Sequence, residues 1–205
     1  QAEHTVSKNQ PIPSRTRTGD ALLFARNFFR HPRMLGSIVP SSRFLIKELL
    51  QPIDWNQARV IVEYGPGVGV ITAEILRRMR SDAILIAIEM NPDFVAHLRA
   101  TLPDERLQVV EDSAESVGEI LERFGHGKAN YIISGIPFST ISAEVRERIL
   151  RNTSEALAPG GAFLVFQFST RVLEDLQRVF HYVRRKFEPL NVLPAHLFFC
   201  QLGAA

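Results

Sequence analysis

From residue 59 onward, short apolar runs alternate with stretches of helical period. The runs RVIVEYG (59–65), AILIAIE (83–89), LQVVED (107–112), ANYIISGI (129–136), AFLVFQF (162–168) and HLFFCQL (196–202) read as strands. RRKFEPLNV (184–192) adds a further strand near the end. Between them, 70–79, 91–102, 116–124, 142–157 and 171–180 carry apolar residues at helical spacing. The apolar runs lack strict alternation, the pattern of strands covered on both faces. Strand–helix repetition of this kind predicts a doubly wound α/β sheet, with ligands beyond the carboxyl ends of its strands. No internal repeat and no second domain are visible, so 58–205 reads as one core.

The first part of the chain has a different pattern. Residues 1–18 are polar, carry Pro11 and Pro13, and read as a flexible segment. Residues 19–57 read as amphipathic helices. Asp20 is an N-cap candidate for a helix to about Arg30, and His31-Pro32 ends it. Leu22, Phe24, Ala25, Phe28 and Phe29 share one side of that helix, and Arg26, Asn27 and Arg30 the other; Leu23 is the exception. A second helix is predicted to begin at Ser41 or Ser42 and to cover RFLIKELL.

Composition narrows the class. The chain has 205 residues, 45% hydrophobic and 22% charged, which suits one domain with a substantial core. No apolar run approaches the roughly 20 residues a spanning helix needs. The polar N-terminus lacks the pattern of a secretory signal, and numbering from Gln1 rather than Met is expected of a trimmed or engineered chain. Cys200 is the single cysteine, so no internal disulfide is expected, and scattered histidines with one cysteine predict no metal site. Net charge is +2, yet residues 11–50 carry +5 and the remainder −3. A basic segment on a mildly acidic body predicts a polyanionic partner met from one end.

The candidate chemistry begins after the first strand, where Glu63-Tyr-Gly65-Pro-Gly67-Val-Gly69 leads into a helix. Glycines there let the backbone turn and approach a ligand, and the helix start offers free N–H groups. By itself this spacing serves a nucleotide or merely a turn. Glu89 ends the next strand, 24 residues after Gly65, near the spacing of a ribose-binding carboxylate. Met90 follows it and suits the face of a flat base. Asp112, with Ser113, ends the third strand, where it either meets an adenine amine or caps the following helix.

With these motifs the chain resembles the class I S-adenosylmethionine-dependent methyltransferases, from about Ala58 onward. The resemblance implies a Rossmann-like seven-stranded class I methyltransferase sheet with N-terminal amphipathic helices. It implies that Glu63, Gly65, Gly67 and Gly69 lie at the methionine part of S-adenosyl-L-methionine, which leaves as S-adenosyl-L-homocysteine. Glu89 would hold the ribose, and Met90, Asp112 and Ser113 the adenine. A dinucleotide dehydrogenase, the main competitor, would usually place its third glycine one residue later.

The loop ISGIPFS (133–139) follows strand four. Ser134-Gly135-Ile136-Pro137-Phe138 is similar to the acceptor loop of ribosomal RNA adenine dimethyltransferases, with Gly135 where those enzymes carry Asn. A conjugated base amine is a poor nucleophile and needs that side-chain acceptor. An aliphatic amine, with a pKa near lysine's ~10.4, needs chiefly to lose a proton. Gly135 is therefore expected to leave room for a small headgroup, Phe138 to face its cation, and Ser134, Ser139 and the Gly135 carbonyl to contact it.

Residues 27–50 and 191–199 resemble bacterial phospholipid N-methyltransferases, which convert phosphatidylethanolamine to phosphatidylcholine. That resemblance implies an interfacial helix, with Phe24, Arg26, Phe28 and Arg30 at the bilayer surface and His31, Arg33 and Arg43 as phosphate candidates. The helical pattern equally suits a helix packed on the domain with its arginines solvated. The resemblance also implies a bacterial enzyme on the inner face of the cell membrane, with an anionic surface as partner. An RNA adenine methyltransferase is the alternative; it predicts the missing Asn and a helical RNA-binding domain after the core.

Overall fold

The computed structural model describes residues 43–189 and 195–203. The predicted 19–30 helix and the 191–194 segment lie outside the described residues. A helix over 43–50 (α1) precedes β1 (Val60–Tyr64), α2 (Val70–Arg78), β2 (Ile84–Glu89), α3 (Pro92–Thr101) and β3 (Leu107–Glu111). A short 3-10 turn (Ala114–Ser116), α4 (Val117–Arg123) and β4 (Ala129–Ser134) come next. A second 3-10 turn (Phe138–Thr140) leads to α5 (Ala143–Ala156), β5 (Leu157–Gln167), α6 (Leu173–Val179), β6 (Tyr182–Glu188) and β7 (Ala195–Gln201).

The seven strands lie in the order β3-β2-β1-β4-β5-β7-β6. β1 to β5 are parallel and β7 runs antiparallel between β5 and β6. This is the doubly wound sheet the sequence predicts. Every residue of β1 is buried, which explains its unbroken apolar run. One core layer packs Val117, Ile120 and Leu121 of α4, Ile149 and Leu150 of α5 and Leu176 of α6 against one face. The other layer packs Leu45, Ile46, Leu49 and Leu50 of α1 and Ile75 and Leu76 of α2 against the opposite face.

Local chemistry fixes the elements. Asn91 accepts from the Asp93 N–H with Pro92 at the first helical position, and Ser142 accepts from the Val145 N–H. Asn130 Oδ1 accepts from both the Arg59 and Val60 N–H groups at 2.9 Å, tying the start of β1 to β4. β5 begins five residues before the predicted run: Leu157 pairs with Ala129, and a register shift precedes the Tyr131–Ala162 pair. A Cβ on Gly161 would lie 2.7 Å from the Asn130 carbonyl, so only glycine fits that irregularity.

Beneath the site, the buried Tyr64 hydroxyl lies 3.0 Å from Thr153 Oγ1, which donates its one proton to the Ile149 carbonyl at 2.6 Å. Tyr64 is therefore the donor. Replacing Tyr64 by Phe removes one buried hydrogen bond while Thr153 keeps its own donor satisfied, and urea unfolding should show a loss of about 1 kcal/mol.

Candidate active site

The loop after β1 and the loop after β4 meet at two glycines. Gly65, Gly67 and Gly69 have φ of +63°, +57° and +85°, in the left-handed region where a Cβ is disfavoured. The Gly65 N–H donates to the Ile88 carbonyl and the Gly135 N–H to the Tyr64 carbonyl, both at 2.9 Å. A Cβ on Gly135 would lie 3.1 Å from the Gly65 carbonyl oxygen and 3.5 Å from Phe166 Cε1. This corrects the expectation of headgroup space at Gly135: the glycine permits the two loops to touch.

The strand-end carboxylates build the other half. Glu89 Oε2 accepts from the Gly67 N–H at 3.1 Å and Oε1 from the Asn91 N–H at 2.9 Å. These bonds fix the carboxylate, and each oxygen keeps a lone pair for a ligand hydroxyl. Met90 beside it is 68% exposed. Asp112 Oδ1 accepts from the Ser113 N–H and the Ser116 hydroxyl, and Ser113 Oγ caps the next turn by accepting from the Glu115 N–H. Asp112 thus serves as a cap, while Oδ2 accepts from no described residue. A glycine turn beside Glu89, with Asp112 one strand further, fits a ligand with vicinal hydroxyls and an exocyclic amine, so the residues present fit the implied cofactor.

Two of the glycine-motif residues act from behind. A Cβ on Gly69 would lie 2.6 Å from Leu98 Cδ2 and 2.9 Å from Leu102 Cδ1. Gly69 therefore lets α2 pack against α3, a correction to its expected contact with the cofactor. Glu63 is 2% exposed and accepts from the Thr72 hydroxyl at 2.7 Å. Burial pushes its pKa up to about 7; the Thr72 bond opposes the rise and the Glu89 charge adds to it.

The acceptor loop has its backbone groups almost fully assigned. Ile136 N–H donates to Ser134 Oγ at 3.2 Å, and the Pro137 carbonyl accepts from the Thr140 N–H and hydroxyl. The Phe138 carbonyl accepts from Arg146, which also pairs with Asp175. Gln167 supplies the remaining bonds: Oε1 accepts from the Phe138 N–H at 3.2 Å, and Nε2 donates to the Ile136 and Phe166 carbonyls, each at 2.7 Å. The Gly135 carbonyl is different. The ladder partner its carbonyl would need is residue 66, a proline without an N–H, and it accepts no bond from any described residue.

Several expected contacts change accordingly. The Phe138 ring is 0% exposed and packs in the core, 6.5 Å from the Phe163 centroid in an edge-on arrangement. It anchors the loop from below and does not face a headgroup, because it belongs to the apolar layer that α5 and β5 build. Ser134 is buried with its hydroxyl turned back to the loop, whereas Pro137 and Ser139 are exposed. Arg43 is exposed at the start of α1. Phe24, Arg26, Phe28, Arg30, His31 and Arg33 lie outside the described residues. Among the described residues there is no metal-ligand cluster and no helix long and apolar enough to cross a membrane. The sequence reading missed Gln167, the single polar residue inside the apolar run AFLVFQF; that break in the pattern was its only signal.

The Methyltransferase small domain family matches residues 35–189. An ornithine lipid N-methyltransferase of Singulisphaera acidiphila is 34% identical over 184 residues, 89% of this chain and 96% of that protein. A ribosomal RNA small subunit methyltransferase A of Laribacter hongkongensis is 35% identical over 71 residues, covering 35% of this chain and 26% of that protein. Among solved structures, the Burkholderia thailandensis 1,6-didemethyltoxoflavin-N1-methyltransferase, with bound 1,6-didemethyltoxoflavin and S-adenosylhomocysteine, superposes with a TM-score of 0.65. It is 14% identical, and the match covers 96% of this chain and 94% of that one.

The buried Glu63 makes a pH-dependent difference. Its folded pKa of about 7 stands above the ordinary value of 4.5. The folded chain therefore holds this proton across that interval while the unfolded chain releases it, so stability from this group is present below about 4.5 and lost as pH rises towards 7. Glu63→Gln removes that loss. In urea unfolding the variant should gain on the wild type by on the order of 3 kcal/mol across the interval and hold a constant difference above it.

Proposed function

Because this chain belongs to the Methyltransferase small domain family and is a methyltransferase dependent on S-adenosyl-L-methionine, we propose that its acceptor is the primary amine of a membrane lipid. Phosphatidylethanolamine and its mono- and dimethyl forms are the substrates we assign, leading to phosphatidylcholine. The observation that carries this reading is the acceptor loop, which offers a backbone carbonyl at Gly135 and no side-chain amide of its own.

The cofactor, when bound, supplies an electrophilic methyl group on a sulfonium. We assign its holding to Gly65, Gly67, Glu89, Met90, Asp112 and Ser113. Gly135, immediately beyond β4 and in contact with Gly65, would receive on its carbonyl an N–H of the unmethylated or monomethylated amine; the neutral dimethyl amine keeps none and would be held by the surrounding walls alone. An aliphatic ammonium must lose one proton before it attacks. Thereafter its lone pair is localised, and it needs orientation more than activation. A backbone acceptor held on a rigid loop supplies orientation, which is the larger part of what such a site contributes.

The ornithine lipid of the Singulisphaera acidiphila relative is a second reading, favoured by 34% identity over nearly the whole chain. Its aliphatic amine makes the same chemical demand, so the two readings differ in headgroup and not in mechanism. An RNA adenine acceptor fits less well, since a delocalised amine needs the acceptor that Gly135 lacks. We assign the basic stretch at 11–50, net +5, to an anionic membrane surface, with Phe24 and Phe28 in the interface.

Labelled S-adenosylmethionine offered with phosphatidylethanolamine vesicles, ornithine lipid vesicles or unmodified ribosomal RNA separates these readings. Label should enter phosphatidylethanolamine; label in ornithine lipid alone selects the second reading, and label in RNA alone overturns both. Sedimentation with anionic vesicles tests the surface. At about 1 kcal/mol for each basic residue near such a surface, Arg26→Glu with Arg30→Glu should weaken binding by at least about 10-fold. Unchanged sedimentation would remove this segment from membrane contact.

A further inference from the structure

We propose that Gln167 is the positioning residue of the acceptor loop, setting the direction of the carbonyl that receives the amine. The proposal rests on the reading of 134–138 as that loop. A segment of glycine and proline holds its shape poorly by itself: Gly135 has no side chain to pack and Pro137 has no N–H to donate. Four side chains restrain it: Thr140 and Arg146 bond the Pro137 and Phe138 carbonyls at its far end, and Ser134 and Gln167 hold the groups next to Gly135. Ser134 Oγ accepts the Ile136 N–H, which fixes the peptide plane joining Gly135 to Ile136. Gln167 then holds the next two groups along the chain, the Ile136 carbonyl at 2.7 Å and the Phe138 N–H at 3.2 Å. The Gly135 carbonyl lies in the plane that these restraints fix.

The identity of the residue matters as well as its place. Its two amide protons go to the Ile136 and Phe166 carbonyls and its oxygen receives the Phe138 N–H. A flipped amide would set its oxygen against two carbonyls, so the network admits one orientation. Glutamate cannot replace it, because an ionised carboxylate accepts but never donates. The residue is 5% exposed and ends β5, beside β4 in the sheet, so a rigid strand sets its position. Phe166, bonded to the same amide, also flanks Gly135. One residue thus ties β5 to the chain just after the acceptor glycine. Its cross-strand neighbour His196 donates nothing to it, so the amide is committed to the loop and to its own strand.

The test uses the full chain, labelled S-adenosylmethionine and phosphatidylethanolamine vesicles, with Gln167→Glu as the main variant. This change keeps the bond from Phe138 and loses the bond to Ile136. Turnover should fall by about 100-fold, the cost of a misplacement near 1 Å. The lipid KM and the Kd for S-adenosylhomocysteine should stay within about 2-fold of the wild type, because the interaction acts in the transition state. A neutral carboxyl regains an O–H donor, so the turnover of the variant relative to wild type should rise as pH falls from about 8 to about 6. Gln167→Leu, which removes all three bonds, should be slower still and show no such recovery. Turnover of the glutamate variant within 2-fold of wild type would overturn the proposal. So would a loss of S-adenosylhomocysteine binding in step with activity, which would make Gln167 a general structural tie. A wild type that labels no lipid amine overturns the loop reading itself, a result distinct from an active wild type that tolerates the substitution.

Discussion

The contact of Gly65 with Gly135 decides where both halves of the site lie. Neighbouring parallel strands place their ends about 4.8 Å apart, and the chain must leave both ends in different directions. The bond from the Gly135 N–H to the Tyr64 carbonyl carries the ladder one step past the strands. Side chains at these positions would force the loops apart, since a Cβ on Gly135 comes within 3.1 Å of the Gly65 oxygen and one on Gly65 within 3.3 Å of Ile136. With both positions glycine, the cofactor turn and the acceptor loop share one wall. The spacing of the two loops is then a property of the sheet.

Around that wall stands a series of polar groups held by bonds inside the protein. Glu89 is fixed by two backbone N–H groups, Asp112 by a cap, the Ile136 N–H by Ser134, and the Ile136 carbonyl by Gln167. Each bond orients a side chain or peptide plane and leaves a lone pair unused at the carboxyl end of the sheet. Such preorganisation avoids rearrangement at the moment of reaction. Pro66 contributes by lacking a donor: an ordinary residue there would have an N–H to offer the Gly135 carbonyl.

Most of the architecture was legible because buried parallel strands leave continuous apolar runs and amphipathic helices leave a period. Six of the seven described strands fall on apolar runs, with β5 starting five residues early; β6 (Tyr182–Glu188) is mostly exposed and starts two residues before the expected 184–192 stretch. The expected helix runs to Leu157, whereas Leu157 opens β5, because its pairing with Ala129 depends on an irregularity in another strand. The site was legible at the level of motifs and not of orientation. Glu63, Gly69, Ser134 and Phe138 sit where the motifs place them, yet each points to support: Thr72, Leu98, the Ile136 N–H and the Phe163 ring. A motif states which residues are near a ligand, whereas side-chain direction depends on packing from distant segments. Gln167 shows the same limit from the other side, since its importance arises only when β5 lies beside β4.

The charges along the sheet bear on what this site selects. Bases precede the strands: Arg59 before β1, Arg80 before β2, Arg106 before β3 and Lys128 before β4. Their charge is largely answered locally, Arg59 and Arg80 by Asp82 and Arg106 by Asp104. At the opposite end stand Glu89 and Asp112, and neither has a cationic partner among the described residues. Their bonds are to hydroxyls and to backbone N–H groups, which orient a carboxylate without cancelling its charge. Among the described residues, the carboxyl end therefore keeps two carboxylate charges that no ion pair cancels. A sulfonium and an ammonium are both drawn to such a field, and a phosphate is repelled by it. For a zwitterionic ligand, such a field favours entry of the cationic end over the anionic one.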